Sequence, residues 1–533
     1  PTITPGKAPY VLHAMHMLSQ SIKHRVVYRH LGWSEIDGRW IFLHGLGAIG
    51  PGGSESGVSV VSPIEGYGLP DPASGASLAS AIEATLQTWQ ISRKVMTPLL
   101  GAIWRAVLPV PALTGLHLVG RTGVGKTTAA QLAVSHFGTE PALTAWTSTA
   151  NAIEVTAWLA ANHAIVVDDF NSGGERDRAE MEASFDRVFR GAGNGQGRSR
   201  LNRDSTLQSS RPPRALIIST GEDIPGEARP SGRARAIFVE VGPEDVPVRP
   251  EADPKRKAQL SAIQEMGEEG ILAAGLAAYV TNLTEWISED GMHLVRKAIK
   301  GSVARWASRW VGQTEHGRTA RAIANLAVGW ELWLNWVEAA DVLSADQVKE
   351  ITVQIEEDLA ALVKAQSVHL QVADHGTRWI NLLVSALRSG RCHVAWRVPP
   401  NFGCSAPGET WGWRNGEPKG DQVGWIDTDG VYLLPDATHA VICDIARRSG
   451  VGWGLSQQQT WRLLSERGWL LGADRGHLTH RVRVGNDRLR LIHIAGDLLT
   501  EQDHPAEPGK NSESIPDSIA LSPVVSPAFG DSF

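Results

Sequence analysis

Apolar and polar positions change their period several times along the chain, and each change marks an expected element. Val26 to Trp33 and Arg39 to Leu43 are short aromatic and β-branched runs separated by Asp37-Gly38, which predicts a hairpin. Gly45 to Gly50 has the glycine spacing of a dinucleotide loop, but Pro51-Gly52-Gly53 blocks a following helix, so the stretch reads as a loop. From Ala76 to Val107 the period becomes helical, with Leu78, Ile82, Leu86 and Trp89 three or four apart and Met96 two turns on. Apolar runs then predict strands over Gly115 to Val119, Ala164 to Val167, Ala215 to Ser219 and Ala236 to Val241. Helical patterns between them predict an α/β fold with a mainly parallel sheet, whose carboxyl edge is where a nucleotide is expected.

Beyond the linker-like Pro250-Glu251-Ala252-Asp253-Pro254, helical patterns run over Ile271 to Ile287, Val295 to Trp310, Thr319 to Val342 and Ser344 to Gln366. Trp330, Trp333 and Trp336 recur on one side of a helix and read as core, since a base-stacking platform also needs a basic surround. Residues 390–436, rich in Gly, Pro and Trp, read as an irregular or β connector without an assigned role. His439 to Ser449 and Ser456 to Arg467 read as helices, and Leu478 to Val484 pairs with Leu489 to Ile494 across Gly485-Asn486-Asp487. That is the order of a winged helix-turn-helix.

The expected domains are therefore a small β-rich or mixed N-terminal unit over 1–80, a P-loop ATPase domain of AAA+ type with a leading helix over 81–249, and a helical bundle over 255–389. They continue with the connector over 390–436, the winged module over 437–499 and a disordered tail over 500–533, which has too little apolar material to fold.

Composition narrows the chemistry. A formal net charge of -6 over 533 residues argues against a uniformly basic nucleic-acid coat but leaves room for local basic grooves. Three cysteines without paired spacing argue against a disulfide framework or a structural zinc. No run reaches the eighteen or so apolar residues of a membrane span. No signal-peptide pattern opens the chain, and Pro1 stands where an initiator methionine would, as in a processed or truncated chain. A cytoplasmic location without membrane contact is the expectation.

The stretch that organises the rest is Gly120 to Thr127, a G-x-x-x-x-G-K-T loop between an apolar strand and a helix. Glycines at 120, 123 and 125 let the main chain approach phosphate, and the following helix points its positive end at the same anion. The expected nucleotide cradle is Gly120, Thr122, Gly123, Val124, Gly125, Lys126, Thr127 and Thr128, with Lys126 reaching the β- and γ-phosphates of ATP and Thr127 offering its hydroxyl to Mg²⁺. About forty residues on, Ala164-Ile165-Val166-Val167-Asp168-Asp169-Phe170 ends a buried strand in two carboxylates. Asp168 is expected to hold the metal and Asp169 to orient the attacking water. Ser219 and Thr220 end the next strand level with the γ-phosphate and are sensor candidates. Arg229, Arg233 and Arg235 precede the last strand, and Arg233 or Arg235 is a candidate arginine finger for a neighbouring subunit.

Basic residues suggest where a polynucleotide could lie. Arg198, Arg200 and Arg203 sit in a glycine-rich loop that is either an exposed solubilising segment or an anion-binding one. Gln458, Gln459 and Arg462 fall on the second helix of the winged module, and Arg475, His480, Arg481, Arg483, Arg488 and Arg490 decorate its wing, which serves either DNA or protein contacts.

Val119 to Thr128, Trp146-x-x-Thr149-x-Asn151-x-x-Glu154, Val166 to Asp169, Gly193 to Arg198 and Ser219 to Glu222, in that order, resemble the bacterial domain-of-unknown-function helicase family that includes the cassette-chromosome helicase of mobile elements. Tyr28 to Ile49 also resembles that family's opening segment, so the resemblance spans roughly residues 20 to 245. The family is similar to superfamily 3 and minichromosome-maintenance helicases of the AAA+ class. The acidic pair departs from its pattern, being Asp168-Asp169 where Asp-Glu is usual, so the second carboxylate is one methylene shorter.

The resemblance implies a homo-hexameric ring translocating on single-stranded or forked DNA, with ATP sites shared between neighbours and the Arg198 to Arg203 loop touching the strand as a pre-sensor hairpin. An ATP-dependent DNA helicase of mobile-element, plasmid or phage replication is the first expectation. The alternative is a non-motor, ATP-switched replication initiator or DNA-binding regulator. A P-loop kinase is disfavoured, because no acceptor-pocket signature accompanies the loop.

Overall fold

Five parallel strands form the central sheet: β1 (Gly115–Val119), β2 (Thr144–Ala145), β3 (Ala164–Phe170), β4 (Leu216–Gly221) and β5 (Ala236–Glu240), in the spatial order β5-β1-β4-β3-β2. This computed structural model describes residues 8–18, 26–62, 64–171, 175–197, 210–225, 230–233, 235–312, 317–372, 375–398, 407–448, 452–453, 455–472 and 477–500. Both β1 and β4 are buried along their whole length, which is why their sequences are nearly continuous apolar runs rather than alternating ones. The four expected strands are present. β2 carries no sequence signal, because two residues at a sheet edge, neither of them buried, make no hydrophobic run. β1 lies between the two strands that come last in the sequence, so the loop leaving its carboxyl end opens at a switch point, where α/β sheets bind ligands.

The N-terminal strands Gly32–Ile36, Arg39–His44, Gly47–Gly50 and Gly53–Ser54 form an antiparallel sheet. Asp37 (φ 51) and Gly38 (φ 75) close the expected two-residue hairpin, both left-handed as a type I′ turn requires. Gly45 to Gly50 is not the expected loop: Gly47–Gly50 pairs with Arg39–His44, placing Ile49 opposite Phe42 and burying both completely. The apolar pair Ala48-Ile49 decides this, and the glycines around it only set its turns. This sheet is seated on the nucleotide core. The Trp33 indole donates to the Val107 carbonyl at 2.7 Å, and a Cβ on Gly32 would lie 2.2 Å from the Ala161 carbonyl oxygen.

The helical stretch before β1 is two helices, Gly75–Ile91 and Arg93–Ala106, broken at Ser92, whose backbone is extended. After β5, Asp253 caps the helix Pro254–Glu268 by accepting from the Lys255 and Arg256 amides, with Pro254 in the first turn. The linker-like sequence thus contains a helix start. Ile271–Asp290, Met292–Arg309, Gly317–Ala339, Ala345–Val372 and His375–Arg388 follow. Trp330 and Trp333 are core, as expected, and Trp333 stacks on Trp104 with centroids 5.0 Å apart.

The chain divides into two compact units, residues 1–382 with 442–456, and residues 383–441 with 457–533. In the second, Cys392–Trp396, Asp421–Asp427, Gly430–Leu433, Asp487–Ile494 and Leu470–Gly472 form one sheet in that order, and His480–Val484 pairs with Asp487–Ile494 across Gly485-Asn486. Residues 390–436 are therefore not an irregular connector. Their described part supplies three strands, Tyr432 pairing with His493, and the buried Val423, Val431 and Leu433 show the apolar face that the Gly, Pro and Trp content hid. The expected helices are found at Pro435–Arg448 and Gln457–Glu466. The expected tail over 501–533 and the arginines at 198, 200, 203, 229 and 475 lie outside the described residues. Among the described residues no helix is long and apolar enough to cross a membrane.

Four histidines are buried around this core. Burial pushes His44, His117 and His136 down to about 4 and His163, packed among Phe42, Tyr67 and Phe137, down to about 3. Their folded pKa values lie below the unfolded value near 6.5, so the unfolded chain binds more protons and stability falls as pH drops from about 7 towards 4. Each histidine contributes a slope of up to about 1.4 kcal/mol per pH unit. Thermal melts should show Tm falling steadily between pH 7 and pH 5, whereas a flat profile would contradict neutral burial.

Candidate nucleotide site

The loop after β1 has the conformation that phosphate binding demands. Gly123 (φ 78) and Gly125 (φ 89) are both left-handed. A Cβ on Gly125 would strike Val246 at 2.7 Å, whereas nothing lies within 4 Å of where one on Gly123 would be. Gly125 is thus fixed by packing as well as backbone, and Gly123 by backbone alone. The loop is tied to β4 by the Gly120 amide, which donates to the Gly221 carbonyl at 3.2 Å, and Val124 is buried beneath it. Lys126 opens the helix Lys126–Val134, and its ammonium donates to the Gly120 and Arg121 carbonyls at 2.7 and 2.9 Å. Burial lowers its pKa, opposed by the nearby carboxylates Glu222, Asp168 and Asp169. The Thr122 hydroxyl donates to Glu222, an acid just past the end of β4 to which no sequence motif assigns a role.

The acidic strand meets the loop at one atom. Asp168 Oδ1 accepts from the Thr127 hydroxyl at 2.9 Å and from the Thr220 hydroxyl at 2.5 Å, and Thr220 Oγ in turn accepts the Asp169 amide at 3.1 Å. Three adjacent strands therefore contribute to one cluster, because β1, β4 and β3 are neighbours and their carboxyl ends are level. Asp169 is left-handed (φ 62) with an exposed side chain. Such a conformation costs a non-glycine residue about 1–3 kcal/mol and collects at functional sites. Among the described residues no cluster of three or more His, Cys, Asp or Glu could hold a metal. One carboxylate beside one hydroxyl is nonetheless the donor set that suits Mg²⁺, which keeps several waters and takes the rest of its shell from phosphates.

Ser219 does not join this cluster. Strand alternation turns it to the opposite face, where it is fully buried, and its hydroxyl is bonded to His117 Nδ1 at 2.8 Å and to the Trp146 indole N–H at 2.9 Å. His117 is neutral, and its other nitrogen meets the Asp223 carbonyl at 3.0 Å. The Trp146 to Glu154 motif acquires a physical account here. Trp146 holds Ser219, Thr149 caps the helix Ala150–Leu159, and Asn151 and Glu154 both accept from Arg187.

Arg233 does not have the exposure a finger needs. It is 3 % exposed, lies over the Phe238 ring, and belongs to a short turn of helix fastened by the Gly232 amide donating to Asp186. Arg235, just before β5 at the amino edge of the sheet, is partly exposed and donates through Nε and Nη2 to Asn194. In the second unit Arg462, Arg481 and Arg483 are all exposed. Arg481 sits opposite Arg490 and Arg483 opposite Arg488, so four cations occupy one face of a hairpin. Like charges directly opposite destabilise a strand pair.

Residues 81–212 match the family model described as a domain of unknown function, DUF927. No curated protein matches the chain. Among solved structures, one described as an active helicase, the Cch of type IV SCCmec, superposes with a TM-score of 0.57 at 14% identity, covering 94% of this chain and 86% of that one. It shows that the chain has a helicase-like fold. The C-terminal region of NrS-1 (TM-score 0.29, 12% identity, 68% and 80% coverage) and the JCV helicase (TM-score 0.24, 14% identity, 53% and 72% coverage) match too loosely to support an argument.

The two neighbouring hydroxyls should separate in experiment. Ser219→Ala strands the His117 and Trp146 polar groups and should cost about 1–3 kcal/mol of stability while leaving nucleotide affinity unchanged. Thr220→Val should melt near wild type but weaken Mg²⁺-dependent nucleotide binding. Calorimetric melts and nucleotide titrations check both, and the reverse pattern would show the faces to be misassigned.

Proposed function

We propose that this chain, whose residues 81–212 form a DUF927 domain within a helicase-like fold, is an ATP-driven DNA translocase that separates strands during replication of a mobile element, plasmid or phage. One observation carries the reading: the loop hydroxyl of Thr127, the strand carboxylate of Asp168 and the sensor hydroxyl of Thr220 converge on a single oxygen. Phosphoryl transfer needs such positioning more than covalent chemistry. In this reading Gly120, Thr122, Gly123, Val124, Gly125, Lys126, Thr127 and Thr128 hold the phosphates. Thr127 and Asp168 would hold Mg²⁺, which would neutralise charge developing on the transferred group. Asp169 orients the attacking water, and Thr220 reports the γ-phosphate to β3 through its bonds to Asp168 and Asp169.

The DNA half of the reading is supported by the arginine face at 481, 483, 488 and 490 and by Arg462. Phosphate contacts of that kind give affinity without sequence preference and weaken with salt. A homo-hexameric ring with shared sites belongs to the proposal, and Arg235, partly exposed at the amino edge, is the finger candidate in place of the buried Arg233.

Strand displacement on forked DNA tests the proposal. Lys126→Ala should bind the fork as wild type does while unwinding and ATPase fall about a hundredfold or more, as when a charge-stabilising donor is removed. Mixing Lys126→Ala with Arg235→Ala subunits should recover ATPase if the arginine acts in trans, where it is worth about a thousandfold. A wild type that hydrolyses ATP but never parts the strands would instead favour the ATP-switched initiator.

A further inference from the structure

A second concentration of positive charge lies apart from the phosphate loop. A cavity of about 550 Å³ opens where the amino edge of the sheet meets four helices of the same unit. Arg105, Lys300, Arg318, Arg321, Arg235 and Asn194 line it, and among the described residues no carboxylate does. Arg318 and Arg321 stand one turn apart at the start of the helix Gly317–Ala339, so the positive helix end adds to their charge. Both are exposed, as is Lys300 on the preceding helix.

Arg105 makes the arrangement unusual. It is 1 % exposed, and its guanidinium donates only to neutral acceptors: the Asn325 side chain at 2.8 Å and the Val110 and Pro111 carbonyls at 2.6 and 3.1 Å. Burial pushes its pKa down to about 9, which leaves it charged at neutral pH without a described counter-ion. Arg235 is also held below its ordinary value, first by burial and then by Arg318 and Arg190, so the cations feel one another. Burying one cation and crowding four more around it is costly unless an anion shares the space. The volume lies within the range of small-ligand pockets. The polar groups named at its wall are mostly donors.

We propose that this cavity is a second phosphate-binding site, separate from the phosphate loop, that takes a phosphate group presented either by a polynucleotide strand or by a free nucleotide. Guanidinium groups on separate helices, Arg105 on one and Arg318 and Arg321 on another, with the Lys300 ammonium on a third, supply the planar forks and point charge that suit the oxygens of a phosphate. The site does not depend on the motor reading, because it needs only phosphate and no hydrolysis.

The test uses the full chain and direct binding. Fluorescence anisotropy with a labelled single-stranded oligothymidylate and titration with ATP are run on wild type, Lys126→Ala, the pair Arg318→Ala/Arg321→Ala, and that pair combined with Lys126→Ala. If a strand supplies the phosphate, the arginine pair should lower strand affinity about tenfold and reduce the salt slope by about two, with ATP binding unchanged. If a free nucleotide supplies it, Lys126→Ala should retain ATP binding that the added arginine pair abolishes, with strand affinity unchanged. Lys300→Ala, on another helix, should show the same loss in smaller measure, and Arg318→Lys/Arg321→Lys, which keeps the charge without the fork, should recover only part of it. Strand and nucleotide binding both unchanged in a normally melting arginine pair would overturn the proposal. A wild type that binds but never unwinds would sink the motor and leave this site standing.

Discussion

One carboxylate oxygen holds the nucleotide site in register. Asp168 Oδ1 accepts hydroxyls from the first helix turn after β1 and from the end of β4, so a shift of any one of three strands would break a bond to it. That registration depends on strand order. Because β4 lies between β1 and β3, the backbones of those two strands are about two strand spacings, or roughly 10 Å, apart, and Thr220 on β4 occupies the space between the loop hydroxyl and the acidic strand. The sheet topology is thus a condition for the cluster.

Behind that cluster a second polar set faces the other way. His117, Ser219, Trp146 and the Asp223 carbonyl satisfy one another in the core, while Thr220, one residue along β4, faces the acidic pair. Successive residues of one strand therefore make separate sets of bonds, one anchoring β4 to β1 and to the segment after β2, the other joining β4 to Asp168 and Asp169 on β3. The neutral state of His117 is part of this. Burial outweighs its bond to the Asp223 carbonyl, and the nearby charges of Lys126 and Arg233 act in the same direction as burial. A protonated ring there would set a third cation in a desolvated space behind the loop lysine.

How much of this could be read from the chain follows from the range of the interactions. The turn between β1 and the helix Lys126–Val134 was legible because it is local: Gly123 and Gly125 are needed by their own backbone angles. The buried strands were legible because a short apolar run bounded by turns is the pattern that a strand covered on both faces must have. Gly47–Gly50 was misread because its glycines suggest a loop, whereas burial of Ile49 against Phe42 makes it a strand, and for residues 421–433, where β was one of two readings, burial of Val431 decides for the strand. Ser219 could have been separated from Thr220 by strand alternation, since only one of two successive residues can face a given side. The partners that hold it, His117 and Trp146, are 102 and 73 residues away and carry no local signal. Arg233 and Arg235 looked equivalent in sequence, and only the packing of Phe238 and Asp186 distinguishes them.

The distribution of charge is the remaining constraint. A chain with a net charge of -6 nonetheless sets Arg481 against Arg490 and Arg483 against Arg488 on one hairpin, and gathers Arg105, Arg235, Arg318, Arg321 and Lys300 around one cavity. Neither grouping is stabilising on its own, because like charges opposite one another, or crowded near a buried guanidinium, raise the energy of the fold. Elsewhere in the chain such a cost is relieved by acids, Arg187 by Glu154 and Arg93 by Asp358, whereas among the described residues no carboxylate lines the cavity around Arg105. An external anion entering either grouping would relieve part of that repulsion. The cost to the free protein is then the same quantity that appears as affinity, and as salt dependence, in the bound one.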